Sequence, residues 1–197
     1  MLAVSRPPLV PELQLHLADD IEQLWQELGT PAPPFWAFAW LGGQAVARYV
    51  LDQPVSVAGL RVLDLATGSG LVALAAAKAG AASVLAVDVD PLAGPAVQRN
   101  AALNGLSVEV LLQDLLDDEP PDVDVVLAGD VCYDREMTPR VLAWLGRSEA
   151  RVMLGDPGRA YLPQAGFVEV AAYVVPTTRA LEGVTVKRTR VLTPAPR

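Results

Sequence analysis

Residues 60–70 read LRVLDLATGSG and residues 71–80 read LVALAAAKAG. A short apolar strand ends near Asp64, turns through Gly68 and Gly70, and runs straight into a helix of small residues closed by glycine. Glycines let the backbone turn tightly and approach a ligand, and the free N–H groups of the following helix start face the same place. The unit recurs downstream. ASVLAVD (82–88), SVEVLLQD (107–114), DVDVVLAGD (122–130) and ARVMLGD (150–156) are further strands. Between them a helix opened by Asp90 and Pro91 runs to about Asn104, and EMTPRVLAWLG (136–146) forms another. GFVEVAAYVV (166–175) and GVTVKRTRVL (183–192) read as an antiparallel pair. This alternation predicts an α/β fold, doubly wound, with a mostly parallel sheet and helices on both faces.

Upstream, DDIEQLWQEL (19–28) has helical spacing, with Asp19 or Asp20 as cap and Gly29 as stop. TPAPPFWAFAW (30–40) follows, and its three prolines forbid regular helix, leaving a stiff aromatic connector. Helical periodicity resumes after Gly42 and Gly43, over 44–53. The expected organisation is one domain over 1–197, with 1–55 as a helical and aromatic extension and 56–197 as the sheet core.

The chain has 197 residues, 52% of them hydrophobic, enough for one well-packed core. Its 23 acidic residues outnumber 15 basic ones, so no footprint for nucleic-acid phosphates is visible, and a lysine-bearing protein suits this surface better. Cys132 is the only cysteine, which excludes an intrachain disulfide and makes a reducing cytoplasm the default. The start lacks signal-peptide character, and no apolar run approaches the roughly 18 residues of a membrane span. No metal-ligand spacing is present.

Carboxylates recur where strands end. Asp88 is placed to take both hydroxyls of a ribose, and Asp114 to accept from an adenine amine. Gly68, Gly70 and Ala73 satisfy G-x-G-x-x-A with Asp88 about 20 residues on, a dinucleotide fingerprint. Asp64 argues against it, because a carboxylate there would face a pyrophosphate but suits a cationic amino acid, such as the methionine moiety of S-adenosylmethionine. In the plainer reading Asp64 and Asp88 only cap turns, and Asp114 belongs to a solvated acidic loop. The fourth strand ends in LAGDVCYD (127–134). Asp130 should lie beside the first strand, across the chain reversal, where it could attract and orient a lysine ammonium with help from the Tyr133 hydroxyl. Its charge would raise the amine's pKa, so deprotonation must come from desolvation or loss of a proton to water. The alternative has Asp130 as a helix cap and Tyr133 as packing. Cys132 reads as a packed small residue, and His16 as non-catalytic.

Together VLDLATGSG, LAVDVDPLAG, LLQD and LAGDVCYD resemble the seven-β-strand S-adenosylmethionine-dependent methyltransferases, and Asp130 to Tyr133 is similar to the D-x-x-Y signature of their protein-lysine branch. More narrowly, PPFWAFAWLGGQAVARYVLDQP, DVDPLAGPAVQRNAALN, GDVCYD and LGDPGR look like the electron transfer flavoprotein β-subunit lysine methyltransferases, over about residues 33–160. The resemblance implies a Rossmann-like class I methyltransferase sheet of seven strands in the order 3-2-1-4-5-7-6, with the last strand antiparallel. It also implies transfer of methyl groups from S-adenosylmethionine to lysines of a protein, the flavoprotein β-subunit first. Trp40 would pack at the cofactor pocket, Asp64 and the turn Ala66 to Gly70 would hold the methionine part, Asp88 the ribose, and Gly129 would contribute backbone. Asp130 and Tyr133 would orient the lysine. Relatives commonly have glycine at Ala66, and alanine fits there if its φ is negative. GDPGR (155–159) could edge the substrate cleft or be a tight turn. A ribosomal-protein lysine methyltransferase, a nucleotide-dependent oxidoreductase and a non-catalytic binding module are the competing readings.

Overall fold

The computed structural model describes residues 2–196, without the Ala180 side chain. The chain begins with an antiparallel hairpin, β1 (Leu2–Ser5) and β2 (Leu15–Ala18), which the proline-rich sequence did not announce. Helix α1 (Ile21–Leu28) follows, with the Asp20 carboxylate accepting from Gln23 N and Gly29 ending it in a left-handed conformation. The prolines of the connector hold it to a single 3-10 turn, Phe35–Ala37. Helix α2 (Leu41–Asp52) then starts earlier than its periodicity suggests and takes in Gly42 and Gly43.

From there strand and helix alternate: β3 (Arg61–Leu65), α3 (Leu71–Lys78), β4 (Ser83–Asp88), α4 (Ala93–Leu103), β5 (Glu109–Leu112), β6 (Val125–Gly129), α5 (Met137–Arg147) and β7 (Arg151–Asp156). Asp90 accepts from Leu92 N and Ala93 N, so 90–92 form a turn and α4 begins at Ala93, later than expected. The chain closes with β8 (Phe167–Pro176), the one-turn α6 (Arg179–Glu182) and β9 (Val186–Pro194).

Seven strands make one sheet in the order β5-β4-β3-β6-β7-β9-β8. Counting from β3, this is 3-2-1-4-5-7-6. All neighbours are parallel except those of β9, which runs antiparallel to β7 and β8. Side chains alternate between the faces, as the two-residue strand period requires. Val62, Val125, Leu127 and Met153 pack with α2, α3 and α4, while Leu63, Val126, Ala128 and Leu154 pack with Val141, Trp144 and Leu145 of α5. Both faces are thus covered, which is why these strands read as nearly continuous apolar runs.

The glycines before 44 are not punctuation. A Cβ at Gly42 would lie 2.5 Å from Asp130 N, and one at Gly129 would lie 2.6 Å from Gly43 Cα. Gly155 faces the Gly42 backbone with equally little room. Gly42, Gly129 and Gly155 therefore let the start of α2 press directly onto the ends of β6 and β7. The hairpin is fixed above α4, where His16 N donates to Asn100 Oδ1 (2.8 Å) and Gln14 N to Asn104 Oδ1 (2.9 Å). Asn100 also donates to Ser69 O (2.9 Å), tying the hairpin to the glycine turn.

Candidate active site

The strand order reverses between β3 and β6, and ligands of open parallel sheets bind beyond the carboxyl ends at such a point. There the turn after β3 carries Ala66, Gly68 and Gly70 at φ of 55°, 53° and 82°. The condition under which alanine would fit, a negative φ, is therefore not met: its Cβ sits in the left-handed region that favours glycine, at a cost of roughly 1–2 kcal/mol. Gly70 is needed twice over, since a Cβ there would also meet Val97 at 3.1 Å.

Asp64 is buried at 1% exposure, although it stands near the end of its strand. The turn folds back over it, so that Oδ2 accepts from Thr67 Oγ1 (2.6 Å) and Ala73 N (3.0 Å). Burial pushes its pKa up to about 7, against the pull of these two hydrogen bonds. Asp88, at the end of β4, accepts from Gly68 N (2.8 Å) and Asp90 N (3.0 Å), and burial likewise raises its pKa. Both carboxylates so shape the turn that they face.

Trp40, Asp64, Ala66, Gly68 and Gly129 line one cleft of about 30 Å³. That encloses little more than one water. The Phe35 and Trp36 backbone lies over Gly68, and the Phe35 ring meets Trp40 and Tyr133 edge-on at 5.6 and 5.4 Å. Trp40 is locked by its Nε1 donating to Phe35 O (2.8 Å). Asp114 stands apart: exposed, it accepts from Leu116 N and from Arg140 of α5, each at 3.0 Å, which hold its pKa down. Its carboxylate is occupied by these two partners.

Asp130 does not cap a helix; in the turn before α5 it is Asp134 that accepts from Glu136 N and Met137 N. The Asp130 backbone is left-handed (φ 65°), and its N donates to Gly155 O (2.8 Å). The open carboxylate expected from the sequence is instead closed in. Oδ2 accepts from Gly42 N (3.0 Å) and Oδ1 from Arg159 Nε (2.5 Å). Arg159 in turn grips Glu182 of α6 through Nη1 (3.1 Å) and Nη2 (2.7 Å), and Lys187 Nζ reaches the same carboxylate (3.0 Å). The Asp130 and Glu182 side chains are each 4% exposed, and that of Arg159 is 19% exposed. Burial pulls the Arg159 pKa down, but hydrogen bonding and attraction to Asp130 and Glu182 win and hold it above its ordinary value. The Arg159 guanidinium is thus held from two sides, by Asp130 and by Glu182.

Tyr133 is 45% exposed, and its pKa is raised by burial and then by the charges of Asp88, Asp134 and Asp130. Its ring packs edge-on against that of Phe35. Cys132 is buried, with its thiol pushed up to about 12, chiefly by burial. Sequence reading did not single out Glu182 and left Arg159 in a motif without a role. Among the described residues no group of His, Cys, Asp and Glu is arranged to hold a metal, and no helix is long and apolar enough to cross a membrane.

Residues 47–131 match the family described as Ribosomal protein L11 methyltransferase (PrmA). The Rattus norvegicus electron transfer flavoprotein beta subunit lysine methyltransferase is 38% identical over 184 residues, covering 87% of this chain and 72% of the relative. The chain belongs to the electron transfer flavoprotein β-subunit lysine methyltransferase family. The Mus musculus member is 41% identical over 163 residues, covering 79% of this chain, which spans 64% of that relative's length. Among solved structures, magnesium protoporphyrin IX methyltransferase from Synechocystis PCC 6803 with bound SAM has a TM-score of 0.57 at 20% identity, covering 78% of this chain and 80% of its own. That likeness shows the fold alone, and the family assignment carries the rest.

Proposed function

We propose that this protein transfers methyl groups from S-adenosylmethionine to lysine side chains, with the β-subunit of electron transfer flavoprotein as its substrate. The observation that supports it most is that Asp64, the glycine turn, Asp88 and the Asp130 to Tyr133 segment, in a member of this family, meet around one reversal point of the sheet. A reducing cytoplasm belongs to the same proposal and suits the free Cys132 thiol. Ribosomal-protein lysine methylation is the second reading, favoured by the match over residues 47–131.

The donor set fits the cofactor in its chemistry. Asp64 offers negative charge to an amino-acid ammonium, and a cation nearby would draw its raised pKa back down. Ala66, Gly68 and Gly70 turn the backbone toward the site, Asp88 is the ribose acceptor, and Trp40 and Gly129 form walls. Asp114 remains the proposed neighbour of the adenine, through the position of its loop. When bound, S-adenosylmethionine supplies an already activated methyl group on a sulfonium sulfur. The protein's task is then to align an amine behind it and exclude water. Asp130 would orient the amine by accepting one of its N–H groups, and the Tyr133 hydroxyl would flank the approach. The Phe35 ring, set between Trp40 and Tyr133, would flank the entrance for the donor.

Purified flavoprotein β-subunit, incubated with the protein and methyl-labelled S-adenosylmethionine, should gain label on lysine, located by mass spectrometry. Label on a ribosomal protein alone would favour the second reading. Donor binding with no methylated protein in a lysate would reject both.

A further inference from the structure

We infer that Arg159 is a positioning residue for this reaction: held by Glu182, its guanidinium fixes the Asp130 carboxylate and balances its charge, so the substrate amine is oriented without being kept protonated. The inference rests on the reading above, in which a lysine amine meets Asp130.

The segment GDPGR (155–159) is built to deliver this side chain. Asp156 Oδ1 accepts from Gly158 N (2.6 Å) and Arg159 N (3.0 Å), and Gly158 takes a left-handed φ of 89°. The chain therefore reverses just beyond β7 and sends the guanidinium back to the end of β6. There Nε meets Asp130 at 2.5 Å, while the two outer nitrogens meet Glu182. Asp130, Arg159, Glu182 and Lys187 form a row of alternating charge that sums to zero. Around it stand Tyr133 and Asp134 after β6, with the buried Cys132 thiol; Asp88 from β4; and Asp156 from β7, with Arg190 of β9 at 3.7 Å. The start of α2 adds the Gly42 N–H.

A lone carboxylate is a poor neighbour for a lysine that must react as a free amine. It attracts the ammonium but raises its pKa, and the proton has to be lost to water before the nitrogen has a lone pair. A guanidinium bound to the same carboxylate cancels most of that field at the amine. An ionised carboxylate has about four lone-pair sites, of which Gly42 N and Arg159 Nε occupy two, so acceptor capacity remains for an amine that reaches this 4%-exposed side chain. The salt link thus turns Asp130 from an ammonium trap into a directional acceptor. Glu182 keeps Arg159 from over-correcting.

The two charges make opposite predictions. Full-length Arg159→Gln, Arg159→Lys and Glu182→Gln proteins are compared with wild type in single-turnover methylation of the flavoprotein β-subunit, with both reactants saturating, between pH 6 and 10. Arg159→Gln should move the midpoint of the rate profile upward by on the order of one pH unit and lower the rate at pH 7 about tenfold, with a smaller change in KM. Arg159→Lys should keep the midpoint while losing rate, and Glu182→Gln should move the midpoint downward. Without any donor, calorimetry at pH 7 should show the flavoprotein subunit binding several-fold tighter to Arg159→Gln and weaker to Glu182→Gln. Lost packing does not produce opposite shifts. Unchanged midpoints in active variants, or a faster Arg159→Gln enzyme at pH 7, would overturn the inference alone. If Arg159→Gln fails to fold, the Glu182→Gln midpoint decides. A wild-type protein that methylates no lysine at any pH overturns the underlying reading as well.

Discussion

Exchange of Asp64 for Asn should make the protein more stable above neutral pH and worse at holding its donor. The folded-state pKa of Asp64 is raised from 3.8 to about 7 by burial. Below 3.8 both the folded and unfolded chains carry the proton, so the group contributes no pH dependence. Between 3.8 and about 7 the unfolded chain gives up the proton and the folded chain keeps it, so stability falls as pH rises through this window. At 1.36 kcal/mol per pH unit the full interval corresponds to about 4 kcal/mol, an upper bound reached above pH 7. Asn keeps an acceptor for Thr67 Oγ1 and Ala73 N but has no charge to bury. Denaturant unfolding at pH 5, 6, 7 and 8 should show the variant gaining on wild type at each step. Asp156 also has a raised pKa, which the difference between the two proteins removes, while Asp88, which interacts with Asp64, adds a smaller change of its own. Calorimetry with S-adenosylhomocysteine should meanwhile show at least about tenfold weaker binding, the scale of a lost charged contact. Parallel stability curves would refute the burial argument, and unchanged affinity would refute the role of Asp64 at the donor.

Ala66→Gly removes a left-handed Cβ, and after the entropy that glycine costs should stabilise the protein by about 0.5–1 kcal/mol, read as a rise of a few degrees in Tm. Gly155→Ala forces a Cβ against the Gly42 backbone and should destabilise by about 1–3 kcal/mol, with loss of methylation as Gly42 N is pushed off Asp130. Cys132, buried and with its thiol held near 12, should resist alkylation at pH 8 in the native protein and react on addition of denaturant; rapid native labelling would show that the segment after β6 opens. Phe35→Ala should speed donor association, measured by stopped-flow fluorescence, because it removes the ring between Trp40 and Tyr133; an unchanged rate would mean that this edge does not limit access.

The sheet was legible because its information is local. Apolar runs at 61–65, 83–88 and 125–129 alternate with small-residue helices, and only a doubly wound parallel sheet buries them all. The glycine turn and the carboxylates at 64, 88 and 130 were visible for the same reason. What escaped depends on partners distant in sequence. Gly42 and Gly43 look like a helix boundary until Gly129 and Gly155 are known to face them. Asp130 reads as free because Arg159 is 29 residues away and Glu182 further still. Asp64 lies at a strand end that ought to be wet, and only the return of the turn through Thr67 and Ala73 buries it. The strain at Ala66 could not be read because the sequence carries no sign of φ. The hairpin of β1 and β2 was missed because its strands are four residues each and interrupted by prolines in between.

The account stands on the claim that acidic strand ends cradle a cationic donor beside the glycine turn. A crystal structure of the protein with S-adenosylhomocysteine tests it most directly. The account predicts the ligand over Gly68, with its ribose hydroxyls on Asp88, its amino-acid end toward Asp64 and its sulfur facing the end of β6. A ligand bound elsewhere, with Asp88 still held only by Gly68 and Asp90, would contradict it.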